Sequence, residues 1–558
     1  MSDARLPGIS NIAEALPRMA RQQPDALAVV FPQGKNPDGS RAYSRLTYRQ
    51  LDAQSDAIAR GLRASGLTRG MRTVLMVKPS LEFFALTFAL FKAGIVPVMI
   101  DPGLGLKQLK SCLAEAKPEA FIGIPAAHMA RIFLGWGRET IRHLVTVGHR
   151  WGWGGTTLTK LTASGQGSVS FLEDTRADET AAILFTSGST GIAKGVIYNH
   201  GNFVAQVDMI RATYDIQPGE IDLPTFPLFA LFDPALGMTT VVPEMDFTRP
   251  AKVDPEKLRA AIAQWGVTNV FGSPALLNTV GRHGVQQGVR WPTVKRVLSS
   301  GAPMPAVTLE RMHQLLNADT EIFTPYGATE VLPVANMGSR DILARTRAMT
   351  DRGAGVCVGR IVAPNEVRII AISDAPIDDW SQVRELPVGE VGEITVAGPS
   401  ATTAYFGRPE ATRLAKIKRD GVIVHRMGDV GYLDADGFLW FCGRKSHRVD
   451  LPERTLFSTP VEEIFNTHPA VFRTALVGVS VGGTRKPVLC IERDPESAMA
   501  KTMTDAQLIE ALKALAAGFE HTRCIEHFVF HPGFPVDIRH NAKIGREKLT
   551  VWAQGKFA

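Results

Sequence analysis

Thr186-Ser187-Gly188-Ser189-Thr190-Gly191-Ile192-Ala193-Lys194-Gly195 follows directly on the apolar run Ile183-Leu184-Phe185. The run reads as a buried strand. Three glycines let main-chain N–H groups turn toward one point, four hydroxyls add donors and Lys194 adds a positive charge, which together suit a polyphosphate. The spacing is not the G-x-x-x-x-G-K-[ST] of a P-loop, so a P-loop NTPase is disfavoured. A flexible surface turn would have similar composition, but not this placement at the end of a buried strand.

Three other strand-like runs end in small-residue loops. Val270-Phe271 leads into Gly272-Ser273-Pro274, Val297-Leu298 into Ser299-Ser300-Gly301-Ala302-Pro303, and Ile322-Phe323 into Thr324-Pro325-Tyr326-Gly327. Ligands of parallel sheets gather at the carboxyl ends of strands, so the four loops are expected to line one site. Upstream, residues 73–77, 96–100, 120–124 and 143–147 read as buried strands, and 52–65 and 82–93 as amphipathic helices. Such alternation predicts an α/β fold with parallel sheets covered by helices. After Pro364 the texture becomes β-rich, with strands at 366–370 and 393–397 and a turn at Asp434-Ala435-Asp436-Gly437. A boundary near Gly443-Arg444 divides a large unit, 1–442, from a small α+β unit, 443–558.

The chain of 558 residues is 45% hydrophobic and 21% charged, ordinary for a globular protein and unlike disordered or fibrous chains. Its 62 Lys and Arg against 55 Asp and Glu leave +7 without a basic stripe, so no nucleic-acid partner is expected. Cys112, Cys357, Cys442, Cys490 and Cys524 are odd in number and widely spaced, which fits reduced thiols in the cytoplasm. Residues 1–23 hold no apolar run of a secretory signal. The most membrane-like stretch, 83–91, is shorter than the ~20 residues of a spanning helix. A soluble, cytoplasmic protein is expected.

The hydroxyl–glycine loop, Tyr326-Gly327-Ala328-Thr329-Glu330, Gly389-Glu390-Val391-Gly392-Glu393-Ile394, Tyr405 with Arg408-Pro409-Glu410-Ala411-Thr412, Gly428-Asp429-Val430-Gly431-Tyr432, Gly443-Arg444 and Asn541-Ala542-Lys543-Ile544 occur in this order. In that order the chain resembles the adenylate-forming superfamily of acyl-CoA synthetases, luciferases and peptide-synthetase adenylation domains. The resemblance implies a large N-terminal domain of packed α/β subdomains with a β-rich part, a small mobile C-terminal domain, and use of ATP and Mg²⁺. It implies that Thr186, Ser187, Gly188, Ser189, Thr190, Gly191 and Lys194 hold the phosphates. Tyr326 and Gly327, beside Gly301, Ala302 and Pro303, would take adenine, and Asp429 and Arg444 the ribose. Thr329 would donate to the α-phosphate and Glu330 would offer Mg²⁺ the hard oxygen it prefers. Lys543 would be carried onto the phosphates by closure of the small domain, to stabilise charge in the transition state. Apart from the resemblance, Lys543 among Arg539, Arg546 and Lys548 reads as part of a basic tail.

Thioester-forming members carry paired acidic residues and a glycine after Gly-Arg; here the run is Lys445-Ser446-His447-Arg448-Val449-Asp450-Leu451-Pro452-Glu453, with Lys445 and Ser446 at the family's hinge. Glu453 near the expected glycine argues against a thiol passage. Phe229-Ala230-Leu231-Phe232-Asp233 resembles the acyl-pocket motif, with Ala230 where a bulkier gate is common, although such phenylalanines serve equally as core. Within the superfamily the chain looks closest to the β-lactone synthetases of bacterial long-chain olefin biosynthesis. That likeness implies a long-chain 2-alkyl-3-hydroxy acid as substrate, closed to a β-lactone through an acyl adenylate. It also implies association with an α/β-hydrolase-fold β-lactone decarboxylase and an NADPH-dependent reductase. A long-chain acyl-CoA or fatty-acyl-AMP ligase is the alternative. Asp233 and His200 are candidates for the base that closes the ring.

Overall fold

A computed structural model describes residues 10–186, 193–536 and 544–557. Two seven-stranded sheets and one eight-stranded sheet take every strand up to Arg444. The first sheet runs Glu321–Phe323, Arg296–Leu298, Asn269–Phe271, Ile221–Pro224, Thr239–Val241, Leu27–Lys35 and Arg41–Thr47. It is parallel except at its last pair. The second runs Thr156–Thr157, His143–Thr146, Ala120–Gly123, Arg72–Met76, Val96–Ile100, Thr180–Thr186 and Lys194–Asn199, and is likewise parallel except at its last pair. The third is antiparallel and holds Tyr326–Ala328, Val331–Asn336, Glu366–Ile370, Gly392–Ala397, Val422–Leu433 and Phe438–Arg444 among its strands. From Lys445 onward the strands form two small sheets of their own.

These sheets match the α/β class with a β-rich part that the sequence predicts. The four loop-bearing strands do not share a sheet, however. Asn269–Phe271, Arg296–Leu298 and Glu321–Phe323 are neighbours, with Val270, Val297 and Ile322 in register. The strand before the hydroxyl–glycine loop belongs to the second sheet.

One core joins the two parallel sheets, drawing Leu16, Val29, Tyr48, Phe84, Phe88, Ala182, Val196 and Tyr198 together. At its centre lies the helix Leu81–Lys92, in which every residue from position 83 to 92 is buried. A helix apolar on all sides needs cover on all sides, and two sheets supply it. Ser80 caps it by accepting the N–H of Phe83 at 3.3 Å. Lys92 ends it, fully buried, with Nζ 2.5 Å from Asp52 and 2.6 Å from Asp56. No helix among the described residues is long and apolar enough to cross a membrane.

Candidate active site

Tyr326–Ala328 and Val331–Asn336 form a hairpin that places Thr329 and Glu330 at its turn. Gly327 must be small: a Cβ there would stand 2.9 Å from Leu332 Cβ and 3.0 Å from Val331 O. Asp429 and Arg444 face each other across the adjoining strands Val422–Leu433 and Phe438–Arg444. The Tyr326 hydroxyl donates to Asp429 Oδ2 at 2.6 Å, and Arg444 Nη1 lies 2.8 Å from Asp429 Oδ1. The sequence-predicted Tyr326, Asp429 and Arg444 are thus brought into one chain of contacts. Burial, then the Asp429 charge, raises the Tyr326 hydroxyl well above its ordinary pKa, and Asp429 likewise raises Arg444.

The loop Ser299–Pro303 starts at the carboxyl end of the strand beside Glu321–Phe323, which leads through Pro325 into Tyr326. Ser299 N–H donates to Phe323 O at 2.9 Å, tying the loop to that lead. Gly301, exposed and followed by Ala302 and Pro303, holds φ +96°, a backbone that side chains rarely adopt.

Glu330 Oε1 accepts the Tyr405 hydroxyl at 2.6 Å, and Lys194 Nζ stands 4.9 Å above the Tyr405 ring. Phe406 N–H donates to Gly195 O at 2.7 Å, and Ile197 N–H to Ala404 O at 3.2 Å, lacing the strand after the hydroxyl–glycine loop to the Tyr405 segment. Backbone pairing of Thr186 with Lys194 closes the base of that loop. Ser187, Gly188, Ser189, Thr190 and Gly191 lie outside the described residues, as does Lys543. On the near side of Lys543, Ile544 bridges Val536. Glu547 lies 3.5 Å from His447, three positions after Arg444, so the helix Arg546–Gln554 reaches the segment that follows Arg444.

Several site residues were not visible in the sequence. The Tyr198 hydroxyl donates to Thr329 O, and Thr402 donates to Glu330 O from N at 2.8 Å and from Oγ1 at 3.0 Å. Lys416 Nζ donates in turn to Thr402 O and, at 3.3 Å, to Thr402 Oγ1. Burial pushes Lys416 down to about 7 against the opposing pull of Glu330. His425, its register partner, is pushed well below its ordinary value by burial and by Lys416. Lys416-Ile417-Lys418-Arg419 looks in sequence like a solvated basic run, and only strand pairing reveals that its first residue points inward.

Among the described residues no group of three or more His, Cys, Asp or Glu could hold a metal alone. The Glu330 carboxylate at the hairpin turn does fit Mg²⁺, which binds through one or two carboxylates plus substrate phosphates.

Phe229 packs 4.6 Å from Phe271 and 5.3 Å from Phe226 (ring centroids), and Phe232 lies 6.3 Å from Phe203, itself stacked on Tyr198 at 4.6 Å. Ala230 is buried between them in sequence, at 2% exposure. Asp233 is built into the core, where it accepts the Thr240 hydroxyl at 2.9 Å and faces Asp222. Burial and that neighbour raise Asp233 well above the carboxylate range. His200 is buried too: its Nδ1 accepts Ile12 N–H at 3.3 Å, and burial lowers it to about 4. Neither geometry is that of an exposed base.

The segment after Arg444 is fastened to the large unit. Lys445 Nζ donates to Ser373 O at 2.7 Å and lies 3.1 Å from the buried Glu393, which also holds Arg426 at 2.6 Å. Arg448 makes a paired contact with Asp374 at 3.1 and 2.5 Å. Gly443, at φ +123°, passes so close to the helix Ser458–Asn466 that a Cβ would stand 2.3 Å from Ser458 Oγ. Glu453 is exposed in the turn between Val449–Asp450 and Thr455–Leu456.

A family profile described as AMP-binding enzyme matches residues 16–406. The chain is 55% identical over 557 residues to an olefin beta-lactone synthetase of Xanthomonas campestris pv. campestris, covering 99% of each. It is 55% identical over 555 residues to an olefin beta-lactone synthetase of Stenotrophomonas maltophilia, covering 98% of each. Among solved structures, the amide bond synthetase McbA of Marinactinospora thermotolerans shares the fold at a TM-score of 0.76 and 22% identity, over 97% of this chain and 99% of that one. With a profile match over most of its length and two relatives at 55% identity, the chain belongs to the AMP-binding enzyme family of adenylate-forming ligases.

Proposed function

We propose that this chain converts a 2-alkyl-3-hydroxy fatty acid to a β-lactone at the expense of ATP. The observation that carries the reading is 55% identity, end to end, with two proteins named olefin beta-lactone synthetase. In the first step a carboxylate oxygen attacks the α-phosphorus, and the bond to the β-phosphate oxygen breaks to release pyrophosphate. In the second the substrate's 3-hydroxyl oxygen attacks the mixed-anhydride carbonyl, loses its proton, and AMP leaves with the C–O electron pair. Attack within one molecule avoids the entropy of bringing in a second, which offsets part of the ring strain.

In this reading the hydroxyl–glycine loop from Thr186 to Gly191, with Lys194, cradles the phosphates. Tyr326 and Gly327 with Gly301, Ala302 and Pro303 hold adenine, and Asp429 with Arg444 holds the ribose. Thr329 meets the α-phosphate, and Lys543 supplies the positive charge that the first transition state needs. Mg²⁺, held by Glu330 and the phosphates, would neutralise charge on the triphosphate. Phe229, Ala230 and Phe232 form part of the acyl wall, the small Ala230 leaving room for a branched chain, with Asp233 supporting that wall from the core. The unit from residue 443 onward acts as the lid. Five free cysteines suit a reducing cytoplasm. A β-lactone decarboxylase of α/β-hydrolase fold and an NADPH-dependent reductase are the proposed neighbours in the reaction sequence.

The test is incubation with ATP, Mg²⁺ and a synthetic 2-alkyl-3-hydroxy acid, with and without CoA, followed by mass spectrometry. A lactone with AMP and pyrophosphate in the absence of CoA is expected. A thioester formed only with CoA would replace this reading with that of an acyl-CoA ligase.

A further inference from the structure

Lys92 and Lys416 are both buried lysines, and they differ in what they hold. Lys92 is neutralised by Asp52 and Asp56 in the core of the parallel sheets. Lys416 spends its amine on one residue, Thr402, through both the carbonyl and the hydroxyl oxygen. With the amine on one lone pair of Oγ1, the hydroxyl proton is turned toward Glu330 O, 3.0 Å away. The Thr402 N–H reaches the same carbonyl at 2.8 Å. Tyr198 holds the adjoining carbonyl, of Thr329. Both main-chain oxygens of the hairpin turn are therefore fixed without drawing on the Glu330 carboxylate.

We propose that Lys416 is a positioning residue for adenylate formation: acting through Thr402, it sets the Thr329–Glu330 turn where Glu330 meets the metal and Thr329 the α-phosphate. The inference rests on the roles proposed above for those two residues. A lysine suits the task because its long stem spans from the strand Lys416–Arg419 to Thr402 while its amine makes two bonds at once. An apolar replacement leaves the Thr402 carbonyl unpaired and frees the hydroxyl to turn between rotamers. Displacements near 1 Å in such a turn cost on the order of a hundredfold in rate.

The test is acid-dependent pyrophosphate release across a Mg²⁺ titration at fixed ATP, normalised to folded protein. Lys416→Met and Thr402→Val should each lower kcat roughly tenfold to a hundredfold. Each should also raise the Mg²⁺ half-saturation point severalfold, with KM for the acid unchanged. Thr402→Ser, which keeps both donors, should restore wild-type behaviour, and the Lys416→Met/Thr402→Val pair should be no worse than the poorer single variant. Lys92→Met provides the comparison for burial alone: a lower melting temperature with an unmoved Mg²⁺ titration. If Lys416→Met fails to fold, the Thr402→Val and Thr402→Ser pair decides the matter. A titration shifted by Glu330→Gln but untouched in Thr402→Val, or losses that add in the double variant, would overturn the proposal. An unmoved titration in Glu330→Gln would instead remove the metal role of Glu330, and this inference with it.

Discussion

Replacing Asp429 by asparagine keeps the side chain's shape and removes its charge. In the native site one oxygen takes the Tyr326 hydroxyl at 2.6 Å and the other pairs with Arg444 at 2.8 Å. An amide has a single acceptor oxygen and must point its NH₂ at one of these partners. Toward Arg444 donor would meet donor, so the NH₂ turns to Tyr326, whose hydroxyl can rotate to accept it. The local fold therefore survives, while a sugar hydroxyl aimed at the former carboxylate loses a charged acceptor. A hydrogen bond to a charged group contributes about 1.5–3 kcal/mol. That corresponds to ATP binding weakened about 10-fold to 150-fold. Calorimetric titration of ATP without acid, and pyrophosphate exchange at saturating acid, should both show the change, in KM for ATP far more than for the acid. A folded Asp429→Asn protein that binds ATP within about threefold of wild type would refute the ribose role, because less than 1 kcal/mol would then depend on the charge.

Lys543→Ala should reduce adenylate formation by on the order of a hundredfold or more while leaving ATP binding intact; unchanged pyrophosphate release would remove the lysine from the first step. Arg426→Met should cost about 3–5 kcal/mol in urea denaturation, since it leaves the buried Glu393 with Lys445 as its remaining ionic partner. Adding Glu393→Gln should recover most of that loss, and an additive loss would show that the pair is not coupled. Asp222 and Asp233 are raised by burial, and Asp233 also by Asp222, so the folded protein binds more protons than the unfolded chain. Their stabilising effect is complete below the ordinary carboxylate value of about 4 and is lost as pH rises through the raised native values. Melting temperature should accordingly fall with rising pH, and less steeply in Asp222→Asn; identical slopes would count against the shared burial.

The residues legible in the sequence are those whose chemistry travels with a local pattern. Tyr326-Gly327, Thr329-Glu330 and Gly443-Arg444 each occupy a strand end or turn, Gly428-Asp429 lies within the strand Val422–Leu433, and folding brings Tyr326, Asp429 and Arg444 into contact. Lys416 gave no such signal, because whether a lysine on a strand faces water or protein is decided by which strands pair beside it. Asp233 and His200 are reactive residue types in suggestive surroundings, and their burial was not legible from the sequence. The apolar stretch at 83–91 became the central helix between two sheets, a placement that its all-round hydrophobicity allows but does not dictate.

The Thr329–Glu330 turn and its surroundings are stitched from distant parts of the chain: the strand Lys194–Asn199 of one parallel sheet, the hairpin at 326–336 of the antiparallel sheet, and the connecting segment that carries Thr402 and Tyr405. A fragment that begins after Asn199 or ends before Thr402 lacks at least one of the three. Turnover should thus emerge late during refolding, after secondary structure has returned, and a partly assembled chain should be catalytically silent instead of weakly or promiscuously active.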